Sequence, residues 1–195
     1  MTTTPDLDAW LEAVLATPGL TAIRDRQRAR EMLLADALRA VSLIERFEGP
    51  LVDVGSGGGS PGIPLAVALP ERELTLLEAE QRKCDFLRQW APPNAAVVWG
   101  RAEEQPLASF GVALAKALAQ PPVAAEWCLP LVRRGGAAIL WTGPTADFGA
   151  LSRVAFQLGG GPPEQHDGLV VIPKIAPTPP GFPRRAGVAK KRPLA

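Results

Sequence analysis

A glycine-rich stretch at 51–70, LVDVGSGGGSPGIPLAVALP, holds the residues best suited to ligand chemistry. An apolar run typical of a strand leads into four glycines, and a run typical of a helix follows them. Each glycine inside an element costs about 0.5–1 kcal/mol relative to alanine, and a tight turn alone needs only one or two. The excess favours close approach of a ligand to bare backbone at a helix N-terminus. The four glycines are Gly55, Gly57, Gly58 and Gly59.

Residues beside this loop indicate which ligand it would hold. A glycine loop after the first strand of an α/β sheet is typical of sites for dinucleotides and for S-adenosylmethionine. Ser60 stands at the third position of the dinucleotide fingerprint G-x-G-x-x-G/A, so that spacing is not cleanly met. Asp53 precedes the loop, where it would repel a pyrophosphate but would suit the ammonium group of an amino-acid cofactor. No Gly-Lys-Ser/Thr follows, which excludes a P-loop.

Acidic residues also stand at the ends of the next two predicted strands. Glu78 closes the second strand and can accept hydrogen bonds from ribose hydroxyls, which would serve either cofactor. Ala102 and Glu103 follow the third strand, where they could lie against an adenine and accept from its exocyclic amine. Each acid alone could be surface charge. Three acids at the ends of three successive strands favour S-adenosylmethionine.

Positive charge is concentrated in two short segments, although the net charge is only +1. One is RDRQRAR at 24–30, and the other is the tail FPRRAGVAKKRPLA at 182–195, which contains no acid. A solvated helix face and a frayed terminus are the simpler interpretation. The functional interpretation is two patches that contact RNA phosphates. The candidate RNA-binding residues are Arg24, Arg28, Arg184, Arg185, Lys190 and Lys191.

Alternating patterns predict an α/β fold. We expect helices over 5–16, 27–47, 61–68, 80–90, 123–131 and 148–158, and strands within 51–54, 73–78, 95–100, 111–118, 135–143 and 168–175. Strands that alternate with helices indicate a mostly parallel sheet with helices on both faces, and ligands bind at the carboxyl ends of its strands. The predicted division is a short N-terminal helical region at 1–48, a core at 49–175 and a basic tail at 176–195 that is rich in proline and glycine and is expected to be extended or partly mobile.

Composition limits the remaining possibilities. The 195 residues suit one main domain, and no apolar run approaches the length of a membrane span. The N-terminus has no basic region before an apolar block, so we expect no signal peptide and a cytoplasmic protein. Cys84 and Cys128 lack metal-ligand spacing and are expected to be buried thiols. With one histidine, His166, a histidine pair or zinc cluster is excluded, and we expect no metal.

Six segments together resemble a known family. They are LTAIRD, LVDVGSGGGSPGIPLA, LTLLEAEQRKCDFLRQ, GRAEE, EWCLPLVRRGG and FPRRAGVAKKRPL. Their order and spacing resemble the bacterial 16S ribosomal RNA guanine-N7 methyltransferases, also called the glucose-inhibited division protein B family. The resemblance runs from Leu20 to Leu194, and the combination of the G-x-G-x-G-x-P-G-I-P element with the basic tail is specific to it.

The resemblance implies a class I methyltransferase fold (Rossmann-like), S-adenosylmethionine as cofactor, and a monomer that acts on 16S ribosomal RNA or the 30S subunit. Arg184 and Arg185 match the basic tail motif of the family. Lys116 falls where the family has an arginine, which makes it the candidate catalytic residue. The alternative is a diverged protein, catalytically weak or non-catalytic, that keeps the cofactor fold and binds RNA or a partner. The expected cofactor-binding residues are Asp53, Gly55, Ser56, Gly57, Gly59, Glu78, Ala102, Glu103 and Lys116.

The chain departs from the family pattern at two places. Met32 and Leu33 stand where the family has Arg-His, and Trp141-Thr142-Gly143 stands where it has Leu-Lys-Gly. A histidine and a lysine are thereby missing from the side expected to face RNA. Guanine N7 has a free lone pair, so methyl transfer to it needs no strong general base.

Overall fold

A seven-stranded sheet forms the centre of the protein in the computed structural model, which describes residues 4–143 and 146–195. The strand order is β3-β2-β1-β4-β5-β7-β6. β1 to β5 are parallel to one another, whereas β7 pairs antiparallel with both β5 and β6. The strands are β1 (Leu51–Val54), β2 (Leu74–Glu78), β3 (Ala95–Trp99), β4 (Phe110–Ala115), β5 (Val132–Trp141), β6 (Glu164–His166) and β7 (Leu169–Pro173).

Helices cover both faces of this sheet, as the sequence predicts. Successive strand residues point to opposite faces, and the buried residues accordingly fall into two clusters. Leu51 belongs to the cluster under the first six helices, and Val52 belongs to the cluster under the next two. The helices are α1 (Leu7–Ala16), α2 (Arg26–Ala29), α3 (Asp36–Leu38), α4 (Val41–Ile44), α5 (Gly62–Ala68), α6 (Gln81–Trp90), α7 (Pro121–Cys128), α8 (Phe148–Gln157) and α9 (Val188–Lys191).

The N-terminal region differs from the single helix predicted over 27–47. α2 passes into a π-helical segment, Arg30–Ala35, and the helical run is interrupted between α3 and α4. Two carbonyls of the π-helical segment accept hydrogen bonds from side chains of the core: Met32 from Lys116, and Leu33 from Ser60 at 2.8 Å. Such π-helical turns are often found at functional sites. These two bonds join the N-terminal region to residues that follow β4 and β1.

The C-terminal tail is not simply extended, which corrects the sequence-based expectation. It contains α9, whose Ala189 is 1% exposed, and Phe182 and Leu194 pack against the core. β6 was also not predicted, because its three residues are largely exposed and carry no alternating apolar pattern. The division into 1–48, 49–175 and 176–195 stays a prediction. Residues 1–3, at the N-terminus where we expect no signal peptide, lie outside the described ranges. No helix within those ranges has the length and apolarity needed to cross a bilayer.

Candidate active site

The glycine loop connects β1 to α5 at the carboxyl edge of the sheet. Gly55 and Gly57 have φ of +73° and +55°, a left-handed conformation that glycine adopts without penalty. A Cβ at Gly55 would lie well under 3.0 Å from the side chain of Leu118. The amides of Gly55 and Ser56 both donate to the carbonyl of Leu77 on β2, at 2.8 and 3.1 Å. The loop is therefore fixed to β2, with its backbone facing a cleft.

This cleft has a volume of about 740 Å³, within the usual range for small-molecule sites. The strand ends of β1, β2, β3 and β4 form its floor, and the N-terminal helices form its opposite wall. Eight predicted site residues line it: Gly55, Ser56, Gly57, Glu78, Ala102, Glu103, Lys116 and Lys190. Gly59 does not line it; a Cβ there would clash with Ile63, so this glycine permits packing of the loop on α5.

Glu78 organises the loop and faces the cleft. Its carboxylate is 6% exposed and accepts from the amides of Gly57 and Glu80, both at 2.9 Å. A carboxylate has about four acceptor positions, so these two bonds leave capacity for hydroxyl donors. This arrangement suits the predicted role of Glu78 toward a ribose, which stays a prediction.

Asp53 lies beneath the loop rather than in the cleft wall, unlike the direct ammonium contact that the sequence suggests. It is 1% exposed, and its Oδ2 accepts from the amide of Gly62 at 3.1 Å, while its Oδ1 has no hydrogen-bond partner among the described residues. Ser56 Oγ donates to the Asp53 carbonyl at 2.9 Å. Burial raises the pKa of Asp53 to about 7. The glycine loop, rather than Asp53, lines the cleft at this point. A role for Asp53 in cofactor binding stays a prediction.

The raised pKa of Asp53 makes stability depend on pH. The folded chain binds more protons than the unfolded chain between about pH 4 and pH 7, so stability falls as pH rises through this window. The free energy of unfolding of the wild type should fall by up to about 1.4 kcal/mol per pH unit in this window. We expect Asp53→Asn to abolish this fall. Urea unfolding of the ligand-free proteins between pH 4 and pH 8 measures this. Glu104→Gln, which changes an exposed acid, should retain the wild-type slope; parallel profiles for wild type and Asp53→Asn would contradict the prediction.

Glu103 has a buried carboxylate whose Oε1 is shared among three donors. It accepts from Trp127 Nε1 at 3.1 Å, from the Gly187 amide at 3.0 Å and from Arg101 at 3.4 Å. Ala102 is buried beside it. The second oxygen, Oε2, is the one available to a ligand in the cleft. The predicted contact of this pair with an adenine stays a prediction.

Lys116 is held firmly at the opposite side of the cleft. Its side chain is 10% exposed, and Nζ lies 2.8 Å from Asp36 Oδ2 and donates to the carbonyl of Met32. The ammonium lies 6.0 Å from the centroid of the Trp141 ring, and Trp141 Nε1 donates to the Asp36 carbonyl at 3.2 Å. Lys116 thus joins the end of β4 to the N-terminal helices, and its catalytic role stays a prediction.

The predicted RNA-binding residues lie in different settings. Arg24 and Arg28 are exposed before and within α2, and Arg185, Lys190 and Lys191 are exposed in the tail. Arg184 is different, because its guanidinium forms two 2.5 Å hydrogen bonds with the carboxylate of Glu126 on α7. Contact with RNA stays a prediction for all six.

Sequence patterns did not identify the apolar wall that the N-terminal region contributes. Trp10 Nε1 donates to the carbonyl of Gly58 at 2.9 Å, which docks α1 on the glycine loop. Met32 is 45% exposed at the mouth of the cleft. A helical pattern marks such residues as core, so no local signal separates them from ordinary packing. The wall residues are Trp10, Val14, Leu20, Ile23, Met32 and Leu33.

The described part of the chain contains no group of three or more His, Cys, Asp and Glu residues placed to hold a metal ion. Cys84 and Cys128 are buried free thiols, as predicted.

Comparison with known proteins places this geometry in a family. The sequence profile described as rRNA small subunit methyltransferase G (GidB) matches residues 7–148. A protein of that name from Synechococcus sp. (strain JA-2-3B'a(2-13)) is 34% identical over 206 residues, covering 91% of this chain and 79% of its own length. Another, from Chloroflexus aggregans, is 37% identical over 195 residues, with 90% and 82% covered.

A solved structure shares the fold at low sequence identity. Geranyl diphosphate C-methyltransferase from Streptomyces coelicolor, in complex with Mg²⁺, geranyl diphosphate and S-adenosyl-L-homocysteine, is 11% identical. The TM-score is 0.57, with 84% of this chain and 86% of that chain covered. The fold is that of the class I methyltransferases, as predicted. With most of its length matched by the profile and by these relatives, the chain belongs to the rRNA small subunit methyltransferase G (GidB) family.

Proposed function

We propose that the protein is an S-adenosylmethionine-dependent methyltransferase that modifies guanine N7 of 16S ribosomal RNA. One observation carries the proposal: a glycine loop in left-handed conformation and the buried acid Glu78, which accepts from the Gly57 amide, line one cleft side by side in a chain of this family. In the cell, the substrate is the RNA of the 30S subunit, and the protein acts as a cytoplasmic monomer.

The residues present fit the cofactor. The backbone at Gly57 can be approached closely, since a Cβ there would meet no heavy atom of the described residues nearer than the Gly55 carbonyl oxygen at 3.8 Å. Donors of the described residues leave acceptor capacity on Glu78 for ribose hydroxyls, and they bond Oε1 of Glu103 but not its Oε2. Asp53, whose Oδ1 has no hydrogen-bond partner among the described residues, provides negative potential beneath the loop when it is ionised, which suits the cationic amino-acid end.

The chain's part in the reaction is to bind and orient the guanine. S-adenosylmethionine supplies an electrophilic methyl group. Guanine N7 has a lone pair, so no residue needs to remove a proton before attack, and positioning accounts for most of the rate increase. Met32 and Leu33 offer an apolar surface to the base at the cleft mouth, and Lys116 provides positive charge at its edge. Basic residues around the cleft hold the RNA backbone in a salt-dependent manner.

The choice of cofactor is testable by titration calorimetry. We expect S-adenosylmethionine to bind and NAD not to bind, because Asp53 and Ser60 both disfavour a pyrophosphate at the loop. S-adenosylhomocysteine, which lacks the transferable methyl, serves as the positive control for the cleft. Tighter binding of NAD than of S-adenosylmethionine would overturn the assignment.

Transfer of labelled methyl separates the enzyme from the non-catalytic alternative. Wild-type protein, S-adenosylmethionine labelled in its methyl group, and 30S subunits lacking the modification should yield labelled RNA. A protein that binds the cofactor and the subunit but transfers no label would be a binding protein that keeps the fold.

A further inference from the structure

The C-terminal strap, which we define as residues 182–194, is docked on the core beside the cleft. Phe182 and Leu194 pack against the buried cluster of α7 and α8, and Ala189 is buried on the inner side of α9. α9 packs on α7. A segment whose composition suggests an exposed tail therefore has apolar anchors near both of its ends and in its middle.

An ion pair fixes the strap between these anchors. Glu126, on α7, is 2% exposed, and its two oxygens accept from Arg184 Nε and a terminal nitrogen of the same guanidinium, each at 2.5 Å. The hydrogen bonds that Arg184 donates to Glu126 raise the pKa of Arg184. Paired hydrogen bonds of this kind fix direction as well as distance. The guanidinium of Arg184 is thus held by the protein rather than solvated.

A backbone contact then joins the strap to the cleft wall. Gly187, with φ of +79°, turns the chain into α9 and directs its amide to Glu103 Oε1 at 3.0 Å. Glu103 lines the cleft, and Lys190, about one helical turn after Gly187, lines it too. One carboxylate is therefore shared between the ligand cleft and the strap.

The strap also carries positive charge that forms no ion pair within the described part of the chain. Arg185, Lys191 and Arg192 are exposed outside the cleft, Lys190 is exposed at the cleft, and the strap contains no acidic residue. Such a surface suits phosphate groups of an RNA backbone. The same thirteen-residue segment therefore presents phosphate-binding groups outward and holds a cleft residue inward.

We propose that the strap couples cofactor binding to RNA binding. Arg184 is a positioning residue: its ion pair with Glu126 docks the strap, and the Gly187–Glu103 hydrogen bond then positions Glu103 for the cofactor. The docked strap at the same time presents its basic residues to RNA. The proposal rests on the proposed function for the identity of both ligands. Coupling between sites is reciprocal, so a docked strap that strengthens cofactor binding must itself be stabilised by the cofactor to the same degree.

The test uses the full chain and S-adenosylhomocysteine. Hydrogen exchange of the wild type should slow at least about threefold over 182–194 when this ligand is bound. The variant Glu126→Gln/Arg184→Gln removes both charges, so the net charge is unchanged and no buried charge is left alone. We expect it to bind S-adenosylhomocysteine about tenfold more weakly, within the usual range of coupling between sites, and to lose the ligand-dependent protection of the strap.

Gly187→Ala provides an independent variant if the double variant does not fold. A Cβ at this position would meet no heavy atom of the described residues within 4 Å, so only the left-handed backbone is disturbed. We expect affinity about fivefold lower. The matched control is Arg153→Gln, which changes an exposed arginine of α8 that belongs to neither the strap nor the cleft lining and should keep cofactor affinity within twofold. Thermal melting of each variant identifies effects that come only from lost stability.

The outcomes are distinct for the two proposals. Wild-type binding with unchanged exchange in the strap, together with variant affinities within twofold of wild type, would overturn the coupling and leave the proposed function intact. Coupling without methyl transfer to 30S subunits would overturn the function and uphold the coupling. A wild type that does not bind S-adenosylhomocysteine would overturn both.

Discussion

Glu78→Ala will weaken S-adenosylmethionine binding about ten- to hundredfold. A hydrogen bond from a hydroxyl to a charged acceptor contributes about 1.5–3 kcal/mol, which corresponds to that change in affinity. The variant also removes the acceptor for the amides of Gly57 and Glu80, so the loop loses its attachment to the end of β2. Calorimetric titration of folded wild type and variant measures the difference.

Two further variants make this result specific. Glu73→Ala changes an exposed acid just before β2, at the opposite end of the strand, and should bind like wild type. Glu78→Gln keeps one acceptor oxygen without the charge and should lie between wild type and Glu78→Ala. An unchanged affinity in folded Glu78→Ala would mean that this acid only shapes the loop.

Gly111→Ala will destabilise the whole fold by about 3 kcal/mol or more, at the upper end of what overpacking costs. A Cβ at Gly111 would lie well under 3.0 Å from the carbonyl oxygen of Glu48, and backbone cannot move aside as a flexible side chain can. The amide of Gly111 also donates to the Pro50 carbonyl at 2.8 Å, so this approach lies where β1 and β4, two central strands, begin. Urea unfolding measures the change.

Gly149→Ala is the matched control for Gly111→Ala. Among the described residues, its Cβ would meet only Oδ1 of Asp147, which caps α8 through the Ala150 amide, at 3.3 Å and the end of the flexible Arg153 side chain at 3.5 Å. Because Gly149 lies in α8, alanine should leave stability unchanged or raise it by about 0.5–1 kcal/mol. Equal stability of the Gly111→Ala protein and the wild type would show that the backbone at Glu48 and Gly111 can move apart, and would contradict the prediction.

Local sequence patterns predicted the sheet and the glycine loop because both depend on neighbours in sequence. β1, the loop and α5 follow one another within 51–68, and their apolar period changes where the elements change. The place of Glu78 follows from the same logic, since the carboxyl ends of parallel strands meet at one edge. The alternation of Leu51 and Val52 between two buried clusters is the physical basis of that success.

The strap could not be predicted from local patterns, because its contacts join residues far apart in sequence. Glu126 lies in an apolar helix, and its partner Arg184 follows 58 positions later. From the sequence alone, Glu126 is an isolated acid and Arg184 is one of several basic residues, and nothing indicates that they pair. The π-helical segment that contains Met32 and Leu33 could not be predicted for a similar reason. Lys116 and Ser60, whose side chains donate to its carbonyls, are far away in sequence.

The proposed reaction is tested most directly by mapping the methyl group on the RNA. 30S subunits that lack the modification are incubated with wild-type protein and S-adenosylmethionine, and the 16S RNA is digested and analysed by mass spectrometry. The account predicts N7-methylguanosine at a single position, and its near absence with Glu78→Ala at a cofactor concentration that suffices for wild type. Methylation on another atom of the RNA, or none by a protein that binds S-adenosylmethionine, would contradict it.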